Sequence, residues 1–259
     1  MIYEFRDTIA GASSEDYGHL PTSAMMYNGQ YIENVIEGYR TLKVTGREMI
    51  SLDISSDAVR VGTIVSEQRV NPRVLTVEYL LSDNDPEELQ NKFKKLMLFL
   101  YQEEDVEITF NDDPQIYYYG RYSESDDVPG DSNSVISSFT IYCQDPRKYS
   151  KLKETGNSIT INSPLQTTPE RLEVKLVRNS SLKIRNKNTG IEIRITGAAI
   201  YAGDFVVFDF DLGLIFVNGN DMTKIADLNS GFENFVIRRG DILECDNGSM
   251  AIYAREVYL

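Results

Sequence analysis

The 259-residue sequence has no tryptophan, one histidine and two cysteines. Cys143 and Cys245 stand far apart and form no CxxC pair, which excludes a disulfide framework and a zinc site of Cys/His spacing. Any histidine-dependent triad would hang on His19 alone, in a polar Tyr-Gly-His-Leu-Pro segment with no Ser or Cys motif beside it. The nucleophile-elbow, zincin, P-loop and dinucleotide-binding patterns are all missing. Catalytic, cofactor-binding and metal-ligating residues are therefore all expected to be none. No run approaches the ~18 apolar residues of a membrane span. The start, MIYEFRDTIAG, carries Glu4 and Asp7 instead of an apolar leader. These two points predict synthesis in a reducing cytoplasm and no membrane insertion.

Basic residues are also scarce: 26 Lys+Arg against 40 Asp+Glu, a net charge of −14. The deficit is one-sided. Residues 1–145 hold 11 basic and 26 acidic residues (net −15), and residues 146–259 hold 15 and 14 (net +1). Non-specific nucleic-acid binding needs clustered Lys/Arg to displace counterions, and no cluster occurs. An acidic surface instead serves solubility, or lets a polyanion pass without sticking.

What is present is a strand-forming chain. Hydrophobic residues make 41%, with 16 Tyr and 11 Phe, enough for a core and biased towards β structure. The length admits one large or two ordinary domains at about 100–200 residues each. Asn28-Gly29 between apolar residues predicts a two-residue hairpin turn. Residues 30–70 read as irregular β structure, with Ile50 to Ile54 alternating, and residues 73–81 as a further strand. One helix is predicted over about 86–101. Asp85 caps it, Pro86 takes N1, Glu88 completes a capping box, and Leu89, Phe93, Leu96, Met97 and Leu100 form one apolar stripe. Strands at 106–110, 115–122 and 135–143 follow, with an acidic Gly/Ser-rich loop at 123–134.

Asp145-Pro146 ends this block and a polar linker runs to about Glu170. Beyond it, turn signals recur every 8–12 residues, among them Asn188-Thr189-Gly190, Leu212-Gly213, Asn218-Gly219 and Asn247-Gly248. They predict an all-β sandwich or jelly roll. The fold class is thus mainly β with one helix: an α+β domain over 1–146 and an all-β sandwich within 147–259.

Three weaker signals read better as structure than as sites. Asp209 and Asp211 share a strand face, but a glycosidase needs carboxyls across a cleft and Ca²⁺ a dedicated loop. Arg239-Gly240-Asp241 spells an integrin-binding tripeptide but sits between strand-like segments as a turn. Tyr201, Phe205 or Tyr253 could stack on a sugar, which makes a two-domain carbohydrate-binding (lectin-like) adhesion module the alternative function.

Four stretches carry a family resemblance: Val44-Thr45-Gly46-Arg47-Glu48, the Asp85–Leu100 helix, Ile108-Thr109-Phe110-Asn111-Asp112-Asp113-Pro114 leading into Tyr117-Tyr118-Tyr119-Gly120-Arg121, and Phe139-Thr140-Ile141-Tyr142-Cys143-Gln144-Asp145-Pro146. In this order, with a β domain after them, the chain resembles the distal tail (Dit) proteins of long non-contractile-tailed phages over nearly its whole length. The resemblance implies a virion structural protein, not an enzyme, forming a homohexameric ring hub at the tail tip. It implies docking to the major tail-tube protein on one ring face and to the tail-associated tip or lysin protein on the other. DNA would pass the channel without specific binding. The second domain would be a galectin-like sandwich at the periphery, where some relatives attach receptor-binding proteins for host attachment. A β extension over about 30–70 would embrace the neighbouring copy. Family position marks Tyr39, Leu42, Val44, Arg47, Ile50, Leu52 and Ile54 as its interface residues.

Overall fold

The computed structural model describes residues 20–130, 132–163, 165–196 and 200–259. His19 lies outside them. The chain forms two compact units, one of residues up to Pro114 plus Tyr118–Pro146, the other of Gln115–Tyr117 plus Arg147–Leu259. Among the described residues no helix is long and apolar enough to cross a membrane. The class is mainly β with one long helix, as the sequence predicts.

The first unit runs β1 (Met25–Tyr27), β2 (Gln30–Tyr31), α1 (Ile32–Val35), β3 (Tyr39–Thr45), β4 (Leu52–Ala58), β5 (Thr63–Val70), β6 (Arg73–Ser82), α2 (Pro86–Leu100), β7 (Val106–Phe110), β8 (Asp113–Ser125) and β9 (Ser134–Cys143). Seven of these strands make one antiparallel sheet in the order β2-β1-β7-β8-β9-β6-β3. Asn28 and Gly29 take positive φ (50° and 78°) and close the β1–β2 hairpin, as Asn-Gly does in tight turns. The long β6–β9 ladder sets the inward face: Leu75, Val77, Tyr79 and Leu81 oppose Ile141, Phe139, Ser137 and Val135. Phe139, Ile141 and Cys143 share the buried face, so the alternation read in the sequence holds. Burial pushes the Cys143 thiol up to about 12. It behaves as a small hydrophobe.

Helix α2 starts and ends where Asp85 and Leu100 set it, but its cap differs from expectation. Asp85 accepts from the Glu87 N–H at 2.8 Å. The Asp85 N–H, which Glu88 would take in a capping box, donates instead to Asp83 at 2.8 Å. Asp83 also binds Lys92 at 2.6 Å, so one carboxylate ties both ends of the first turns. Leu89, Leu96 and Leu100 are buried. Met97 is exposed, because eight residues along a helix the stripe has drifted off the buried line. The Tyr27 hydroxyl donates to the Leu100 carbonyl at 3.0 Å and accepts from the Tyr122 N–H at 3.3 Å. That pair satisfies one open carbonyl of the helix C-terminus and fixes it to β8.

The second unit contains β10 (Lys148–Ser150), β11 (Lys153–Thr155), β12 (Arg171–Lys175), β13 (Leu182–Asn186), β14 (Glu192–Ile195), β15 (Phe205–Asp209), β16 (Leu214–Val217), β17 (Asn220–Asp221), β18 (Leu243–Cys245), β19 (Ser249–Ala254) and β20 (Val257–Tyr258). A six-stranded sheet, β11-β19-β12-β15-β16-β17, and a three-stranded sheet, β14-β13-β18, share one core. Leu172, Val174, Val206, Phe208 and Ile252 come from the first, and Leu182, Ile184, Ile193, Ile195 and Leu243 from the second. This is the sandwich that the turn spacing predicts. Asn218-Gly219 closes the β16–β17 hairpin with positive φ at both residues.

Asn247-Gly248 departs from expectation. It makes no hairpin, because β18 and β19 belong to different sheets. The buried Asn247 amide instead organises the segment after β12. Its Oδ1 accepts from the Arg178 N–H at 3.0 Å, and its Nδ2 donates to the carbonyls of Arg178, Ser180 and Ser181 at 3.1–3.2 Å. Gly248 has φ of +131°, and a Cβ there would meet the Lys175 carbonyl at 2.0 Å. The pair is therefore fixed by packing, not by turn chemistry.

Candidate assembly arm and its root

Among the described residues β4 and β5 pair only with each other. Every residue from Ser51 to Pro72 is exposed. The ribbon is amphipathic all the same. Leu52, Ile54, Ser56 and Ala58 face Val70, Gln68, Val65 and Thr63, while Asp53, Ser55 and Asp57 face Arg69, Glu67 and Ile64. A bulge shifts the register between Ser55 and Ser56. Ser66 is the extra residue, and its hydroxyl donates to the Ser55 carbonyl at 3.1 Å. The bulge brings Val65 onto the face of Leu52, Ile54 and Val70. At the tip, Val59 donates to the Gly62 carbonyl at 3.2 Å, and Val61 is 89% exposed. A lone two-stranded ribbon is marginal in water, and clustered exposed apolar side chains mark a surface awaiting a partner.

The root of this ribbon is built quite differently. Arg73, the first residue after it, is only 2% exposed. Its Nη1 donates to the carbonyls of Gly46 and Arg47 at 2.6 and 3.2 Å, and its Nε to the Pro146 carbonyl at 3.0 Å. The guanidinium lies 5.9 Å from the Tyr118 ring centroid. Burial lowers its pKa, but a guanidinium remains charged. Arg47, just before the ribbon, grips Asp112 with both terminal nitrogens at 2.6 and 2.7 Å and lies 4.6 Å over Phe110. That fork raises the Arg47 pKa and holds the Asp112 carboxyl below its usual range. Gly46 has φ of +90°, and a Cβ would meet the Val74 carbonyl at 2.1 Å, so only glycine fits where the chain leaves the sheet.

Several residues marked by the sequence sit elsewhere than the extension required. Residues 30–45 do not stand clear of the sheet, since β2, α1 and β3 pack within the first unit. Tyr39 and Val44 point into its core, Tyr39 stacked on Tyr79 at 5.4 Å. They have no surface to give to a neighbour: Tyr39 and Thr41 are inward positions of β3, and the bulge between Thr41 and Lys43 shifts the phase so that Val44 points inward as well. Leu42 is on the solvent side of β3, Arg47 is at the root, Ile50 is half-buried in the lead-in, and Leu52 and Ile54 lie on the apolar face of the ribbon. Sequence reading missed Val65 and Val70, whose strand does not alternate because of the bulge. It also missed Arg73, which looks like any polar strand end.

The edge strand β3 is partly protected. Glu33 of α1 accepts the Thr41 N–H at 3.0 Å, and Arg40 and Lys43 project from its outer side, a usual guard against edge-to-edge pairing.

The weaker candidates lose their polar groups to local structure. Asp241 of the Arg-Gly-Asp tripeptide is buried and accepts from Asn186 Nδ2 at 2.8 Å and the Arg238 N–H at 3.1 Å, so it cannot be displayed. Asp209 accepts from the Leu212 N–H at 2.9 Å and shapes a turn. Among the described residues no group of three or more His, Cys, Asp or Glu is arranged to hold a metal. Tyr201 and Phe205 are 57% and 41% exposed. The polar groups between them are already engaged: Asp204 accepts from the Tyr201 N–H and from Asn218, which accepts from the Phe205 N–H, all at 2.8–2.9 Å. Tyr253 lies under the Arg171 guanidinium at 4.5 Å.

Comparison with known proteins agrees with this architecture. Residues 34–143 match the family described as the phage tail protein RIFT-related domain. The chain is 24% identical over 240 residues to the distal tail protein of Bacillus phage SPP1, covering 90% of this chain and 81% of that one. The crystal structure of SPP1 Dit, described as a paradigm of the hub adsorption apparatus in phages infecting Gram-positive hosts, superposes with a TM-score of 0.76 at 19% identity, over 92% of this chain and 100% of that one. A chain of the phage p2 baseplate, in its activated conformation with Sr, gives a TM-score of 0.50 at 9% identity, over 86% and 91%. Residues 34–143 thus match a phage tail protein domain, and the chain is similar over most of its length, in sequence and in fold, to a siphophage distal tail (Dit) protein, a structural tail protein and not an enzyme.

Proposed function

We propose that this chain is the hub of a phage tail tip, six copies closing a ring through the β4–β5 arm. The observation that carries this is the arm itself: an amphipathic ribbon that pairs with no other strand among the described residues. Strand and ribbon surfaces of this kind are completed by a neighbour, and soluble homo-oligomers close by symmetry. Residues 1–146 form the ring, and residues 147–259 supply the peripheral galectin-like domain. One ring face takes the major tail-tube protein and the other the tail-associated tip or lysin protein, with receptor-binding proteins on the periphery. The excess of acid in the first half suits a channel wall that DNA passes without adhering. Of the residues marked by family position, Leu42, Arg47, Ile50, Leu52 and Ile54 remain in this reading, Arg47 at the root of the arm.

Light scattering on the purified chain, with negative-stain imaging of the same peak, tests it. The expected result is a six-fold ring near 176 kDa, six times the 29.4 kDa chain. A chain that stays monomeric at every concentration, with tail-tube protein also present, overturns the reading.

A further inference from the structure

We propose that Arg73 is a positioning residue that presets the direction of the arm before any partner arrives. This rests on the reading of β4–β5 as an assembly arm. The argument is geometric. The chain leaves the sheet at Gly46 and Arg47 and re-enters it at Arg73, and Arg73 bonds the carbonyls of both departing residues. Its third bond, to the Pro146 carbonyl, anchors the same guanidinium to the segment after β9. The two feet of the arm are thereby held to each other and to the sheet by one planar group. Arg47 adds an independent hold through Asp112, and the Tyr118 hydroxyl approaches the Arg47 carbonyl at 3.4 Å.

The chemistry of Arg73 marks it as more than a packing residue. No carboxylate pairs with its guanidinium among the bonds described, and its Nη2 is buried without an acceptor. Burying a charge on those terms is costly. An aliphatic side chain would serve a purely structural position at lower cost. What only a guanidinium supplies is a rigid fork that reaches carbonyls from separate segments at once, which lysine, a point charge on a flexible stem, does not. Holding an arm in its bound direction removes ordering entropy from the association step. The gain appears in assembly although Arg73 touches no partner.

The test measures arm direction in the full-length chain, so it does not depend on ring formation. With Cys245→Ser as background, spin labels are placed at Val61→Cys on the arm tip and at Leu98→Cys on the exposed side of α2. The labelled chain is diluted in unlabelled chain, and the distance distribution is recorded by pulsed electron resonance. A narrow distribution is expected for the parent. Arg73→Met should broaden it at least about twofold and weaken assembly about tenfold under conditions where circular dichroism shows it folded, with partial recovery in Arg73→Lys. An unbroadened distribution in folded Arg73→Met overturns the proposal, whatever the chain does in assembly. Should Arg73→Met not fold, Arg73→Lys keeps the charge and loses the fork, and an unbroadened distribution in that folded variant likewise overturns the proposal. A parent that keeps a narrow distribution but never assembles overturns the ring reading alone.

Discussion

The two units handle exposed apolar surface in opposite ways. In the second unit the large exposed hydrophobics, such as Leu212, Leu228 and Tyr201, are scattered over separate loops. Two sheets cover each other there, and isolated exposed side chains are ordinary. In the first unit Leu52, Ile54, Val59, Val61, Ile64, Val65 and Val70 all gather on one ribbon that covers nothing. Charge divides along nearly the same boundary, −15 against +1. One half of the chain is complete by itself. The other leaves an apolar ribbon that no described residue covers.

The most severe way to break this contrast is to remove the ribbon. Leu52 and Val70 face each other, so an Asn-Gly turn in place of residues 53–69 closes the gap between them. Assembly should vanish in light scattering while the thermal transition of the remaining chain is retained. A ring that survives the deletion would place the copy-to-copy contact elsewhere.

Next in size is a change confined to the self-sufficient half. Asn247→Ala strips four hydrogen bonds from a buried site. Leaving those backbone groups unpaired should cost about 3 kcal/mol in denaturant unfolding of the second unit. Hydrogen exchange in β6 and β9 should be unaltered, which would show that the units unfold separately.

A smaller effect separates the two kinds of exposed side chain directly. Ile54→Ser and Leu228→Ser each remove one exposed apolar group, and each should change chain stability by less than about 0.5 kcal/mol. Only Ile54→Ser should weaken assembly, by about tenfold in dissociation constant, since a buried aliphatic anchor contributes 1–3 kcal/mol. Equal effects from both would erase the distinction drawn above.

The smallest effect is a pH dependence at the root. Arg47 depresses the pKa of Asp112, so the pair stabilises the fold above the unfolded carboxylate pKa of about 3.9. The contribution is lost as pH falls through the lower folded value. Asp112→Asn should therefore melt lower than the parent at pH 6, by no more than about 1 kcal/mol. The difference should shrink as pH falls below about 4 and close only below the depressed folded pKa of Asp112. A gap independent of pH would mean that Asp112 acts through packing.

Much of the fold was legible because its signals are local. Asn28-Gly29, Asp85-Pro86 and the alternation of Phe139, Ile141 and Cys143 each specify a turn, a helix start or a strand face within a few residues. The errors come where a distant partner decides. The Asp85 N–H goes to Asp83 and not to Glu88. Asn247 serves a segment some seventy positions upstream of it. The site divides the same way. Leu52 and Ile54 announced themselves by period-two alternation, but the bulge at Ser66 breaks that period on β5 and hid Val65. Family position assigns Tyr39 and Val44 to the extension, since it does not separate β3 from β4, which follow one another in sequence. Only the pairing of β3 with β6 shows where the sheet ends and the arm begins.

In the proposed ring, an arm that faces water until a neighbour covers it gives the newly made chain a limited useful lifetime. Each uncommitted copy carries a flat apolar ribbon, and the same surface that recognises a neighbour also recognises other exposed strands. Ring closure rises steeply with concentration, since it takes several copies at once, whereas random capture needs only one sticky encounter. The charges at Asp53, Asp57, Glu67 and Arg69 keep one face of the ribbon wet and slow that capture. Late, abundant and synchronous production is thus the expression pattern that this ribbon favours.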